Sequence, residues 1–188
     1  MQFKYELIGT GWANGFIELN SQKISFSPSY ITDAFGNLLG GLTDLSNGEE
    51  RVVTFLWEEE PHGLGWRFEL QDSKELFLTI TEYNDTLDYI KGKEGVTIVD
   101  ATCNFFDFVK MVIKEADKIL LRYGIVGYQN LWAEHEFPLS SYLQLKYILM
   151  EADKISLQTK EKVGGQSKSC EKNELKQELQ FLIRNFDF

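Results

Sequence analysis

A change in hydrophobic period near Ala101 limits the folds that this chain can adopt. Before that residue, short segments alternate apolar and polar side chains, which is the pattern of half-buried β-strands separated by turns. After it, apolar residues recur every three or four positions, as they do on amphipathic helices. Strands followed by helices are typical of an α+β fold. We therefore expect a mostly antiparallel β-sheet of about six strands packed with amphipathic helices, and a helical C-terminal half.

The strand predictions rest on segments in which every second residue is apolar. Between Arg51 and Tyr83, three such segments follow one another with the short connections EPHGLG and DSK, which predicts an antiparallel meander. The predicted strands are FKYELI, FIELN, KISFS, RVVTFLW, WRFELQ and ELFLTITEY, with GVTIVDATC as a further candidate.

Residues 30 to 46 interrupt the alternation, and their apolar residues recur at three and four. This spacing predicts a helix that packs on the sheet, with Ser27 or Ser29 as its N-cap. Three glycines in the segment each weaken a helix by about 1 kcal/mol relative to alanine, so a loop is the alternative. The apolar stripe consists of Ile31, Ala34, Phe35, Leu38, Leu42 and Leu45.

The region after residue 102 contains two longer amphipathic segments and a separate one at the end of the chain. The first segment is followed by Gly124, where a C-terminal helix cap belongs, and the second begins near Pro138. We expect a single domain over residues 1–155, a polar linker over 156–172 and an amphipathic helix over 173–188. That last helix either packs back on the domain or docks on a partner, including a second copy, so the chain is expected to be a monomer or a homodimer.

Charge restricts the possible partners. The chain has 19 Lys and Arg against 29 Asp and Glu, a formal net charge of −10, and no cluster of basic residues marks the body of the sequence. This balance disfavours nucleic acid and favours a basic protein partner. The N-terminal sequence lacks the apolar region of a signal peptide, and no run approaches the ~18 apolar residues of a membrane span. Since Cys103 and Cys170 occupy dissimilar surroundings and do not suggest a pair, we expect a cytoplasmic protein.

The stretch FLWEEEPHGLGWRFELQ concentrates acidic, aromatic and turn residues. Consecutive glutamates on a strand point to alternate sides, so they do not converge on one ion. The chain has only two histidines, which disfavours a zinc site, and it has no EF-hand loop. We interpret the stretch as a hairpin with an acidic rim. If this hairpin has a function, we expect it to be a partner-binding edge. The candidate contact residues are Glu58, Glu59, Glu60, His62 and Trp66.

Enzymatic motifs are absent from the sequence. It contains no GxSxG elbow, no P-loop and no dinucleotide-binding fingerprint, so no cofactor and no catalytic residue is predicted and an enzyme is the less favoured class. His135 stands between Glu134 and Glu136, but neighbours in an extended segment point apart. The alternative function is a small-ligand-binding protein or an unrecognised enzyme, with a pocket between sheet and helices near Cys103, Tyr123 or His135.

The segments SYITDAFGNLLGGL and WEEEPHGLGWRFEL, the helix ending RYG and the LW…FPL segment carry a resemblance over residues 1–150. Together they resemble a group of small uncharacterised bacterial cytosolic proteins, some of which look like immunity proteins for secreted toxins. The resemblance implies a non-enzymatic, stoichiometric inhibitor that neutralises a basic toxin. At His62 the chain departs from the glycine expected after Pro61.

Overall fold

The computed structural model describes residues 1–71, 74–133, 135–158, 178–180 and 182, with the side chains of 153–158 left out. The strands and helices together form an α+β fold. They are β1 (Gln2–Leu7), β2 (Ala13–Leu19), β3 (Gln22–Phe26), α1 (Ala34–Asn47), β4 (Val52–Glu58), β5 (Gly63–Gln71), β6 (Glu75–Tyr83), α2 (Thr86–Ile90), β7 (Val96–Asn104), α3 (Phe105–Leu131) and α4 (Leu139–Gln158).

The strands form two antiparallel sheets, so the prediction of one sheet of about six strands is wrong. One sheet has the order β1-β2-β3 and the other β4-β5-β6-β7. Side chains join them where a backbone ladder would otherwise continue. Asn20 Nδ2 donates to the Thr102 carbonyl at 3.1 Å, and the Asp100 N–H donates to Gln22 Oε1 at 2.9 Å. The turn between β2 and β3 thereby satisfies edge groups of β7 without pairing to it.

The predicted meander is confirmed. In β4 and β5, Phe55 lies opposite Trp66, and in β5 and β6, Phe68 lies opposite Leu78. All four side chains are buried. One face of this sheet therefore supplies a large share of the aromatic core, as the period-2 pattern indicates.

The helix predicted over residues 30–46 exists as α1, but its cap is neither Ser27 nor Ser29. Asp33 is the N-cap, and its carboxylate accepts a hydrogen bond from the Gly36 N–H at 3.2 Å. A carboxylate at this position satisfies a backbone donor that the helix itself cannot pair. Ile31 precedes the cap and is half exposed, so it does not belong to the buried stripe.

The helical part of the chain begins later than predicted, because β7 occupies residues 96–104 and α3 starts directly after it at Phe105. Gly124 interrupts α3 at the position predicted for a helix end. Its φ of 67° and ψ of −176° are not helical, so the first helical segment stops there and a second one continues to Leu131. A glycine tolerates this positive φ, whereas other residues are strained by it.

The predicted linker and C-terminal helix fall mostly outside the described residues. Residues 156–158 belong to α4, and 159–172, including Cys170, are not described. Within the predicted C-terminal segment, residues 178–180 and 182 are helical, and Leu182 is partly buried against the core. A homodimer through this segment remains a prediction.

An aromatic cluster forms the core between the two sheets and the helices. The Trp57 and Trp66 rings lie 4.5 Å apart between centroids, and the Tyr5 ring lies 5.9 Å from Trp57 and 6.3 Å from Trp132. Rings at these separations attract one another beyond their burial from water. None of the helices in the described part of the chain has the length and apolar character that a membrane span requires.

Candidate protein-interaction surface

Glu58, the last residue of β4, joins three parts of the chain. Its N–H donates to Thr32 Oγ1 at 3.1 Å, and its carbonyl accepts from the Ser29 N–H at 2.7 Å. Its side chain accepts a hydrogen bond from Thr86 Oγ1 at 2.9 Å. The segment 29–32 and helix α2 are therefore both held against the end of β4.

Both segments held by Glu58 expose apolar side chains. Tyr30 is 45% exposed and Ile31 50%, while Leu87 on α2 is 50% and Ile90 70% exposed. Leu87 and Ile90 are three residues apart on the helix, so they share a face. A short helix of five residues buries little, and of its residues only Thr86 is buried. Exposed apolar side chains on neighbouring segments are candidates for a contact site. We name Tyr30, Ile31, Glu58, Glu60, His62, Leu87 and Ile90 the Glu58 surface.

The same end of the four-stranded sheet carries half of the protein's net charge. Residues 58–62 and 82–95 contain seven acidic residues and two lysines, a local charge of −5 out of −10. One of the lysines, Lys93, is paired with Asp88 at 2.6 Å. The turn and the end of β6 meet because Gly63 lies opposite Tyr83 in the ladder. Exposed carboxylates therefore border the apolar side chains of the Glu58 surface.

Glu59 has a structural role. Its Oε1 accepts a hydrogen bond from the Ser27 N–H at 2.5 Å, which ties the turn to the segment after β3. Burial raises the pKa of the Glu59 carboxyl, with a further increase from Glu82, while the Ser27 N–H and His62 lower it. Glu59 is thus an internal acceptor, and Glu58 is also engaged internally. Of the three predicted glutamates, Glu60 is the one that is exposed.

Trp66 does not belong to the surface, so its inclusion among the predicted contact residues is wrong. It is 1% exposed and lies on the core face of β5, stacked at 6.0 Å on Phe55. The alternation of WRFELQ puts Trp66 and Phe68 on one face, but it does not say which face is covered. An exposed aromatic ring of this region is that of Tyr30, which lies in the segment predicted to be helical.

The residues suggested for an enzyme do not come together. Cys103 lies opposite Leu76 at the start of β6, whereas His135 contacts the Tyr30 carbonyl through Nε2 at 2.8 Å, beside the Glu58 surface. Burial raises the pKa of the Cys103 thiol to about 11, so it is protonated at neutral pH and a poor nucleophile. Glu134 lies outside the described residues. No group of three or more His, Cys, Asp or Glu suited to a metal occurs among the residues described.

Asp33 is a partly buried carboxyl residue that interacts with His135. Burial raises the pKa of its carboxyl, and the Gly36 N–H, His135 and Trp132 lower it. Trp132 Nε1 lies near this carboxylate but makes no hydrogen bond of regular geometry to it. The Asp33 carboxylate is occupied by capping α1, which is a structural use.

A cleft of about 290 Å³ lies between β1 and α3 and includes Tyr123 but neither Cys103 nor His135. Its charged side chains are paired with one another. Lys4 and Arg122 both contact Glu6, and Lys118 contacts Glu115 at 2.6 Å. The Tyr123 hydroxyl donates to the Leu7 carbonyl at 3.3 Å. These side chains satisfy one another within the protein.

Comparisons with known proteins give no relative. No protein-family model matches the chain, and neither a curated protein nor a solved structure matches it at a significant level.

Proposed function

We propose that this chain is a non-enzymatic protein-binding module that captures a basic partner through the Glu58 surface. Four exposed apolar side chains, two on each of the segments that Glu58 holds, accompany the acidic segments 58–62 and 82–95. This juxtaposition carries the proposal, because apolar contact supplies affinity and a charged border supplies partner choice. The resemblance to immunity proteins agrees with this mode, with a basic toxin as the partner and stoichiometric inhibition as the outcome.

The two parts of the surface have separable roles. Tyr30, Ile31, Leu87 and Ile90 would be desolvated on binding and would control how long the complex lasts. Glu60 and Asp85 lie exposed at the border, where charges mainly raise the association rate and its dependence on salt. A basic partner follows from the local charge of −5.

The proposal is tested by capture of partners on the tagged full chain from a lysate of its own source, at low and high salt, with mass spectrometry. We expect the chain to retain one basic protein in a fixed ratio, and we expect this protein to dissociate faster at high salt than at low salt. Leu87→Ser/Ile90→Ser should reduce its retention at least tenfold.

Leu121→Ser/Val126→Ser is the matched control, because these α3 residues are 53% and 69% exposed and are not members of the Glu58 surface. Equal loss of the partner from both double variants would show that the Glu58 surface is not the contact site. A wild-type chain that retains no stoichiometric protein would contradict the binding function itself.

A further inference from the structure

β4 is an edge strand, so the backbone N–H and C=O groups of alternate residues point either toward β5 or away from the sheet. The Arg51 carbonyl accepts from the Leu70 N–H at 2.9 Å, and the Glu59 N–H donates to the His62 carbonyl at 2.8 Å. Odd-numbered residues of β4 therefore pair with β5, since backbone groups alternate in direction along an antiparallel strand. The even-numbered residues Val52, Thr54, Leu56 and Glu58 direct their N–H and C=O groups away from the sheet.

The outer edge of β4 is covered at one end only. Ser29 and Thr32 satisfy the outward groups of Glu58. Within the described part of the chain, no strand pairs with the outer side of β4 from Val52 to Leu56. Unpaired edge groups in a row are a template for a further strand.

A groove of about 360 Å³ runs beside this edge, between β4 and α1. Two glycines of α1, Gly40 and Gly41, set the width of this groove. A Cβ on Gly40 would meet no atom within 4 Å, whereas a Cβ on Gly41 would lie 3.1 Å from Val53 Cγ2. The helix thus packs closely on β4 through Gly41 and leaves room at Gly40. Side chains of an added strand would fit over this room.

We propose that the β4 edge from Val52 to Leu56 accepts an extended basic segment of a partner protein as an additional β-strand. The inference rests on the proposed function, because it names the way in which the partner is bound. Main-chain hydrogen bonds to Val52, Thr54 and Leu56 would hold the segment. The edge leads directly into Glu58, so such a segment would continue onto the Glu58 surface.

Charge selects the occupant. Residues 44–58 carry four acidic residues and one arginine, and Asp44 lines the groove. Lysine or arginine side chains of an added strand would lie beside these carboxylates. A second copy of this chain would instead bring the same acidic edge and a further net charge of −10, which repels.

The test uses the full chain and a defined probe, a seven-residue peptide that alternates lysine and valine. Amide NMR shifts and hydrogen exchange are followed at Thr54 and Leu56. We expect both amides to exchange freely in the unbound chain, to shift on titration and to be protected at least fivefold at saturation. A peptide that alternates glutamate and valine should leave them unchanged.

Two variants separate the edge from the rest of the surface. Thr54→Pro removes an outward N–H without removing a bond to β5, since proline is tolerated on a strand edge, and it should abolish the effect, whereas Thr54→Val should retain it. If Thr54→Pro does not fold, Gly40→Leu fills the groove from α1 and should weaken peptide binding at least tenfold.

Three results would overturn the inference. These are equal shifts with both peptides, Thr54 and Leu56 amides already protected in the unbound monomer, or a sedimentation mass of a dimer that Thr54→Pro converts to a monomer. None of these results would contradict the proposed function, because partner binding is tested separately by the partner-capture experiment.

Discussion

Thr86 donates its hydroxyl to Glu58 Oε1 at 2.9 Å, which fastens the first turn of α2 to the end of β4 across 28 residues of sequence. Thr86 is also the buried residue of α2. Its N–H donates in addition to the Pro61 carbonyl at 3.2 Å. This side-chain contact and the neighbouring backbone bond position Leu87 and Ile90 on the surface, together with the Tyr89 ring of α2, which packs on Tyr83 at 5.3 Å between centroids.

Breaking the Thr86 contact should loosen α2. Thr86→Val keeps the size of the side chain but leaves Glu58 without its donor, and we expect a loss of about 1 kcal/mol in the free energy of unfolding. Hydrogen exchange at Lys91, whose N–H bonds to Leu87, should become faster. Thr86→Ser, which keeps the hydroxyl, is the control. Unchanged exchange at Lys91 in Thr86→Val would show that the backbone bonds alone hold α2.

Gly15 should not tolerate alanine. It lies opposite Tyr5 in the pairing of β1 and β2, and an added Cβ would fall 1.8 Å from the Lys4 carbonyl oxygen. Since the backbone must move to accept it, we expect Gly15→Ala to cost about 3 kcal/mol in urea unfolding.

The matched control for Gly15 is Gly40→Ala in α1, where a Cβ meets nothing within 4 Å. The same chemical change there should stabilise the protein by up to about 1 kcal/mol, through helix propensity. Destabilisation of similar size at both positions would contradict the close approach at Gly15.

Local pattern predicted the elements better than their arrangement. The alternation around Phe55 and the spacing around Leu38 indicate a strand and a helix, because each depends on neighbours within a few residues. The contact between the two sheets involves Asn20 and Gln22, whose side chains reach residues 82 and 78 positions away. Nothing in the local pattern indicates these contacts.

The candidate surface was predicted only in part, for the same reason. The acidic turn was found, because Glu58 to Glu60 are consecutive in the sequence. The apolar residues beside it, Ile31 and Leu87, come from separate segments that Glu58 brings together. A helix of only five residues, such as α2, also gives too short a pattern to recognise.

Trp66 should matter for stability and not for partner capture. It is buried against Trp57 at 4.5 Å between ring centroids, so Trp66→Ala should cost 3–5 kcal/mol, on the order seen for large aromatic truncations. Partner retention by the fraction that remains folded should be unchanged. His62→Ala, an exposed change in the same hairpin, should leave thermal unfolding nearly unaltered. Loss of the partner from folded Trp66→Ala would return Trp66 to the contact set.

Glu59 should make the protein less stable as pH rises. Burial raises the pKa of its carboxyl above the ordinary value of 4.5, so between that value and the raised pKa the folded state binds more protons than the unfolded state. The free energy of unfolding then falls as pH increases through this window and stays lower above it.

Glu59→Gln keeps an oxygen to accept from the Ser27 N–H and removes the charge. We expect Glu59→Gln to be more stable than the wild type in urea unfolding at pH 7, and the difference to shrink below pH 4.5. Glu60→Gln, at an exposed position, should show no such difference, and a Glu59→Gln variant less stable at pH 7 would mean that the charged form of Glu59 stabilises the fold.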